Sequence, residues 1–197
     1  MMFDMRYMRL QPVLERIAAL TGDRLLITID GPCGSGKSTL AKELAAVTGA
    51  DVVHMDDFVI PYACKTAERL AQPGGNADVE RLMTEVLQPW IAAGYASYRP
   101  YLCHTDALGE TAEVCGRILI LEGSYANLPP IREIAALRLF IRVPANEQQE
   151  RLLKRVGPAR LQTFNERWIP LENAYFSAFE LPDPECMLIA PCYDQAE

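Results

Sequence analysis

The sequence contains only two histidines, His54 and His104, and no Cys-x-x-Cys pair among its six cysteines (33, 64, 103, 115, 186 and 192). Neither histidine has a cysteine or second histidine at helical ligand spacing, which argues against a zinc site. The scattered cysteines read as free thiols in a reducing compartment. No apolar run approaches the ~18 residues needed to cross a bilayer. Residues 1–6 show no basic stretch leading into an apolar one, so no secretory signal is expected and the expected location is the cytoplasm. Basic residues are also scarce: Lys plus Arg is 19 against 26 Asp plus Glu, a net charge of −7. Such a chain is a poor default partner for nucleic acid, and neither nucleic acid nor a membrane is expected to bind it. There is no internal repeat, no low-complexity tract and no linker long enough to divide the chain. At roughly 150 residues per domain, the 197 residues are expected to form a single domain, 1–197. Half of them are hydrophobic, enough for one large core.

The apolar pattern alternates between short runs and helical stripes. Leu10, Val13, Leu14, Ile17 and Leu20 predict a helix over 9–20, within an N-terminal helical region 1–22. Residues 24–30 (RLLITID), 51–55 (DVVHM), 117–121 (RILIL) and 137–143 (LRLFIRV) read as buried strands, with a last short one at 186–189. Helices are predicted over 37–48, 78–93, 145–156 and 158–179, with a kink at Pro170. Phe164, Trp168, Leu171 and Tyr175 form a packing stripe on the last of these. Residues 56–77 read as a loop with one helical turn, and 95–116 as irregular and partly extended. Strands alternating with helices, each strand almost wholly apolar, imply an α/β fold with a parallel sheet covered on both faces.

The segment Gly31-Pro32-Cys33-Gly34-Ser35-Gly36-Lys37-Ser38 fits G-x-x-x-x-G-K-[ST] at every fixed position, and it lies between a predicted strand and a predicted helix. Glycines let successive N–H groups turn inward onto phosphate oxygens, and the helix start adds its positive dipole end. The loop residues Gly31, Cys33, Gly34, Ser35, Gly36, Lys37, Ser38 and Thr39 are the expected ATP-binding set. Lys37 is placed to reach the β- and γ-phosphates, and the Ser38 hydroxyl is a hard ligand for Mg²⁺. The Cys33 thiol reads as a small filler, with its backbone N–H as the useful group.

Asp56 and Asp57 follow the second strand and Glu122 ends the third, so all three project toward the crevice that the phosphate loop also borders. One carboxylate there can hold Mg²⁺ and another can accept the proton of an attacking hydroxyl. We assign Asp56 as the base and Glu122 to the metal. The reverse assignment, with Asp56 as a metal ligand, stays open, as does Asp57 as the base. Seven of the 19 basic residues fall between Arg138 and Arg167. Arg151 and Arg155, four apart, share a helix face in a segment, 145–167, that reads as a closing lid around the transferred group. Arg155 is the first choice for the transfer step and Arg151 the second.

The marks HMDDF (54–58), GGNADVERL (74–82), LILEGSY (119–125) and ERWIPLENAYF (166–176) resemble the uridine kinase branch of the P-loop kinases, which also holds phosphoribulokinase and bacterial pantothenate kinase. The resemblance spans most of 24–180. It implies a P-loop NTPase fold with a five-stranded parallel sheet in the order 2-3-1-4-5. It also implies Asp56 in the place of the family's base, Glu122 in that of its magnesium residue and Arg151 and Arg155 as lid arginines. Asp57 replaces a serine of the family pattern, and 61–77 and 101–106 depart from the nucleoside-contacting stretches. The acceptor-side region is expected over 56–116, with Asp57, Asn76, Asp78, Arg81, Tyr98, Tyr101 and His104 as candidate contacts, joined by Arg167 from the lid. The expected activity is ATP- and Mg²⁺-dependent transfer of the γ-phosphate to a hydroxyl of a small metabolite, a nucleoside first. The alternatives are another small alcohol (a sugar, a vitamin or a pantothenate-like compound) and an ATP-dependent switch. Self-association is left open.

Overall fold

The computed structural model describes residues 5–191, with side chains from residue 10 onward. Cys192, one of the six expected thiols, lies outside the described residues, and the five cysteines within them are free. Five strands, β1 (Leu25–Asp30), β2 (Asp51–His54), β3 (Ile118–Glu122), β4 (Leu137–Ile141) and β5 (Met187–Ile189), form one sheet in the order β2-β3-β1-β4-β5. Every pairing is parallel. This is the 2-3-1-4-5 order implied by the family resemblance.

The period-2 alternation of the strands divides the core. On β1, Ile27 and Ile29 face Leu10, Val13 and Ile17 of α1 (Met5–Ala19) and Leu40, Ala41 and Leu44 of α2 (Lys37–Thr48). Leu26 on the other face joins Val53, Leu119, Leu121 and Phe140 against Leu82, Val86, Trp90 and Tyr175. The same alternation carries Thr28 and Asp30 into the second, fully buried face, where each finds a polar partner.

The region 56–77 holds more short structure than one turn: 3-10 turns at Met55–Phe58 and Tyr62–Cys64, then α3 (Ala67–Leu70). Residues 95–116 fold back on themselves. Ala96–Tyr98 pairs antiparallel with Ala112–Val114, and Tyr101–Leu102 pairs with Ala107–Leu108 inside it.

The two long helical stretches each contain a π turn. One runs α4 (Val79–Leu82), π turn Met83–Leu87, α5 (Gln88–Ala93). After the four-residue α6 (Pro129–Arg132), the second runs α7 (Ala145–Thr163), π turn Phe164–Trp168, α8 (Ile169–Ala178). Each π turn ends just before an X-Pro pair, Gln88-Pro89 and Ile169-Pro170. Proline lacks an N–H and its ring crowds the carbonyl four residues back, so a widened turn accommodates it. The kink expected at Pro170 is therefore absorbed by the turn before it. The sharp break lies instead at Gly157 inside α7, at φ 74° and ψ 169°. The extra residue also rotates the expected stripe out of register: Tyr175 is fully buried, but Phe164, Trp168 and Leu171 are only half-buried.

Trp90 is the largest fully buried side chain, and its indole N–H donates to the Gly116 carbonyl at 2.8 Å. Trp90→Ala should lower the unfolding free energy by about 3–5 kcal/mol. Urea unfolding should show a lower midpoint with an unchanged slope, and Trp90→Phe should recover part of the loss.

Candidate functional site

The site begins with the last residue of β1. The Asp30 carboxylate is fully buried and takes three donors: the Gly31 N–H at 2.7 Å on Oδ1, and the Asn127 N–H at 2.9 Å and the Tyr175 hydroxyl at 2.7 Å on Oδ2. Burial outweighs these bonds and pushes its pKa up to about 6. The chain then turns at Gly31, where a Cβ would stand 2.5 Å from the Ile141 carbonyl oxygen of β4, so only glycine fits. Gly36, at φ 96°, precedes α2. The first N–H groups of that helix have no carbonyl one turn back and open toward the loop's concave side.

The Lys37 ammonium lies on the loop itself, 2.7 Å from the Gly31 carbonyl, 3.0 Å from that of Pro32 and 3.4 Å from Ser124 Oγ. The Ser35 hydroxyl is buried without a hydrogen-bond partner. An orphaned hydroxyl, an ammonium and unserved helix amides form a donor set that fits a phosphate chain. Ser38 and Thr39 are exposed on the first turn of α2.

Glu122 closes β3 with a side chain only 5% exposed. Its Oε1 accepts the Ser38 hydroxyl at 2.9 Å and lies 2.5 Å from His54 Nδ1. That bond to Glu122 is the main cause of the raised His54 pKa. The contact follows from sheet register, since His54 of β2 pairs directly with Glu122. Gly123 next to it is required: a Cβ there would lie 2.6 Å from Met55 Cβ. A hydroxyl and a carboxylate at hydrogen-bond distance suit Mg²⁺, which takes few protein oxygens and fills its shell with water and substrate phosphate. Among the described residues no cluster of three or more His, Cys, Asp or Glu side chains forms a self-sufficient metal cage.

Asp56 and Asp57 fall on the 3-10 turn Met55–Phe58 that follows β2. Asp56 is exposed. Asp57 is half-buried and accepts the Tyr98 hydroxyl at 3.1 Å, and burial raises its pKa. The turn therefore divides two adjacent acids between solvent and a structural tie.

The acceptor-side candidates separate in the same way. Asp78 caps α4, accepting the Arg81 N–H at 3.1 Å. Arg81 pairs with Glu85 at 2.9 Å, covers the Phe58 ring at 4.7 Å and donates to the Arg99 carbonyl. Tyr98 and Tyr101 are buried, and the Tyr101 hydroxyl is held by Asp106. His104 is exposed at the tip of the inner hairpin. Asn76 is 9% exposed and its side-chain carbonyl has no partner.

In the lid segment, Arg151 reaches the Ser35 carbonyl at 3.4 Å and pairs with Glu147. Arg155, the first choice from sequence, is exposed and stacks 5.7 Å over the Phe164 ring, while Arg151 makes the contact with the phosphate loop. Arg167 is exposed over the Trp168 ring at 4.6 Å.

Two buried residues enter the loop: Gln148, which sequence reasoning had not assigned to it, and Glu172, which flanks the predicted stripe and was expected only as one of two residues able to reach the cleft. Gln148 donates to the Cys33 carbonyl at 2.9 Å, and Glu172 accepts the Cys33 N–H at 2.9 Å and the Ser124 hydroxyl at 2.6 Å. The available signal was a glutamate beside an otherwise apolar helical stripe. Burial, then Glu172, pushes the Cys33 thiol up to about 12, so it is an inert filler.

No protein-family model and no curated protein matches the sequence. Solved structures do match its fold. A protein described as a possible uridine kinase from Bacillus stearothermophilus is 21% identical and superimposes with a TM-score of 0.74, covering 94% of this chain and 100% of its own. A protein of Silicibacter sp. TM1040, provisionally named a fructose transport system kinase, is 25% identical with a TM-score of 0.68, covering 85% and 91%. YFH7 of Saccharomyces cerevisiae, provisionally described as a P-loop-containing kinase with a circular permutation, is 12% identical with a TM-score of 0.63, covering 97% and 100%.

The raised pKa of Asp30 has a signed consequence for stability. The native state holds this proton more tightly than the unfolded chain does, so the group's contribution is full below its ordinary value of 3.8 and is lost as pH rises through about 6. Thermal melts from pH 4 to 7 should show this component falling with pH in the wild type. In Asp30→Asn the component should vanish; an unaltered difference between the two ends of the range would remove Asp30 as its source.

Proposed function

We propose that this chain, whose fold is that of the uridine kinase-like P-loop kinases, transfers the γ-phosphate of ATP to a hydroxyl of a small metabolite. The observation that carries the reading is the meeting of Lys37, Ser38 and Glu122 around the loop 31–38, with the exposed Asp56 on the neighbouring turn. The loop amides and Lys37 bind the phosphate chain. Ser38 and Glu122 hold Mg²⁺, which when bound neutralises charge on the phosphates and aligns them. His54 keeps the Glu122 carboxylate oriented toward Ser38. Asp56 accepts the proton of the attacking hydroxyl, a role suited to an acid that no structural bond occupies, whereas Asp57 ties the turn to Tyr98. Arg151 stands against the loop, and Arg155 supplies a second cation from the lid. Most of the acceleration would come from positioning and electrostatics.

A nucleoside, uridine or cytidine, is the first acceptor. The fit in fold to a protein described as a possible uridine kinase and the HMDDF and LILEGSY marks support it. A sugar is the second reading, favoured by the 25% identity to the protein provisionally named a fructose transport system kinase. In both, the small molecule is the partner and ATP with Mg²⁺ the cofactor pair.

The test is ADP release on adding uridine, cytidine, fructose and other alcohols. One acceptor should raise the rate well above the acceptor-free blank, and EDTA should abolish the increase. If sugars alone stimulate, the nucleoside reading fails; if nothing stimulates, the transferase reading fails. Lys37→Ala and Asp56→Asn should each lower kcat by roughly 10²–10⁴-fold. Near-normal turnover in Asp56→Asn, with a collapse in Asp57→Asn, would transfer the base to Asp57.

A further inference from the structure

Glu172 is a buried carboxylate for which the transfer chemistry has no use. It projects from α8, is 5% exposed, and forms no ion pair among the described residues. Its two oxygens are divided between a loop amide, Cys33 N–H at 2.9 Å, and the Ser124 hydroxyl at 2.6 Å. Carboxylate and phosphate oxygens are acceptors of one kind, and the loop 31–38 is a cradle of donors for such acceptors. The chain therefore inserts an anion of its own into its anion site.

The position along the cradle is fixed by Lys37. In this motif the lysine reaches the β- and γ-phosphates. Here its ammonium is 3.4 Å from Ser124 Oγ, the same hydroxyl that donates to Glu172. Glu172 consequently sits at the terminal-phosphate end. A third phosphate brings further negative charge to that end, a few ångströms from a carboxylate shielded from water, where like charges repel strongly.

The same loop residue is gripped from two sides. Gln148 of α7 donates to the Cys33 carbonyl at 2.9 Å, and Glu172 of α8 accepts the Cys33 N–H. Between the two grips lies Gly157, in an extended left-handed conformation and with open space around its missing Cβ. Helices α7 and α8 are thus fastened to one amino acid, with a hinge between the two attachments. Release of the Glu172 grip loosens the stretch between Gly157 and the Tyr175–Asp30 anchor, while Gln148 and Arg151 keep α7 on the loop.

Resting on the kinase reading above, we propose that Glu172 is the group that registers the terminal phosphate: it holds Cys33 and Ser124 while that position lacks a phosphate, and yields the Cys33 N–H when a triphosphate enters. Residues 158–174, between the Gly157 hinge and the Tyr175 anchor, then loosen in response to ATP and not to ADP.

Calorimetry with ATP and with ADP, together with hydrogen exchange over 158–174, tests this on the full chain. Glu172→Gln keeps the shape and an acceptor oxygen but removes the charge. It should tighten ATP about tenfold and change ADP less than twofold, because only the third phosphate meets the lost charge. In the wild type, ATP should raise exchange over 158–174 and ADP should not; in Glu172→Gln exchange should already be raised without nucleotide. Ser124→Ala, which removes one of the two bonds, should move the ATP/ADP ratio the same way by a smaller factor and serves if Glu172→Gln does not fold. An unchanged ratio in both variants, or weaker ATP binding in Glu172→Gln, overturns the proposal and leaves the kinase reading intact. A wild type that binds neither nucleotide overturns both.

Discussion

The site depends on one buried carboxylate at the end of the central strand. Asp30 gathers the N–H that opens the phosphate loop, the N–H of Asn127 in the loop after β3, and the hydroxyl of Tyr175 on α8. These three groups come from three separate parts of the chain. Loss of their common acceptor would take away the partner of the Gly31 N–H and the Tyr175 hydroxyl and leave the Asn127 N–H only its 3.2 Å bond to the Tyr175 hydroxyl; a buried donor left unserved costs more than a bond contributes. The loop, the Glu122 turn and the lid helix are in register with one another because a single residue holds all three. The cost is a carboxylate kept from water, visible in its raised pKa.

A second polar line runs outward from that anchor. Glu122 ends β3 between His54 on one side and Ser38 on the other, so the pair proposed to hold Mg²⁺ is set by the lateral order of the sheet. Had β2 been placed at the other edge, His54 would not reach Glu122. The fold therefore supplies the orientation of the carboxylate, and the local sequence supplies only its identity.

The difference between local and lateral information explains what was legible. The phosphate loop is eight consecutive residues, and its chemistry could be read directly from Gly31 to Ser38. The strands were legible as short apolar runs between glycines and charges, and the acids at their ends followed from the rule that ligands lie beyond carboxyl ends. Glu172 and Cys33, 139 positions apart in sequence, meet only because α8 packs over the loop, and no spacing rule announces that. The arginines were found as a charge cluster, but their different surroundings were not legible: helical phase places Arg151 on the loop and Arg155 on Phe164. The stripe through Phe164 failed for a related reason, since a π turn inserts one residue into the helical period and shifts everything after it.

Two of the exposed guanidinium groups in the segment 145–167 rest on rings: Arg155 on Phe164, Arg167 on Trp168. A flat cation on a flat hydrocarbon face is steadied in orientation while the N–H groups along its rim face outward. An arginine engaged by a carboxylate would have to surrender that partner before greeting an incoming oxyanion. One shelved on an aromatic ring has little to surrender, and less disorder to lose. Arg155 and Arg167, unlike Arg151 with its Glu147 partner, thus hold their charge on rings with no carboxylate paired to them among the described residues, in a protein that is otherwise acidic.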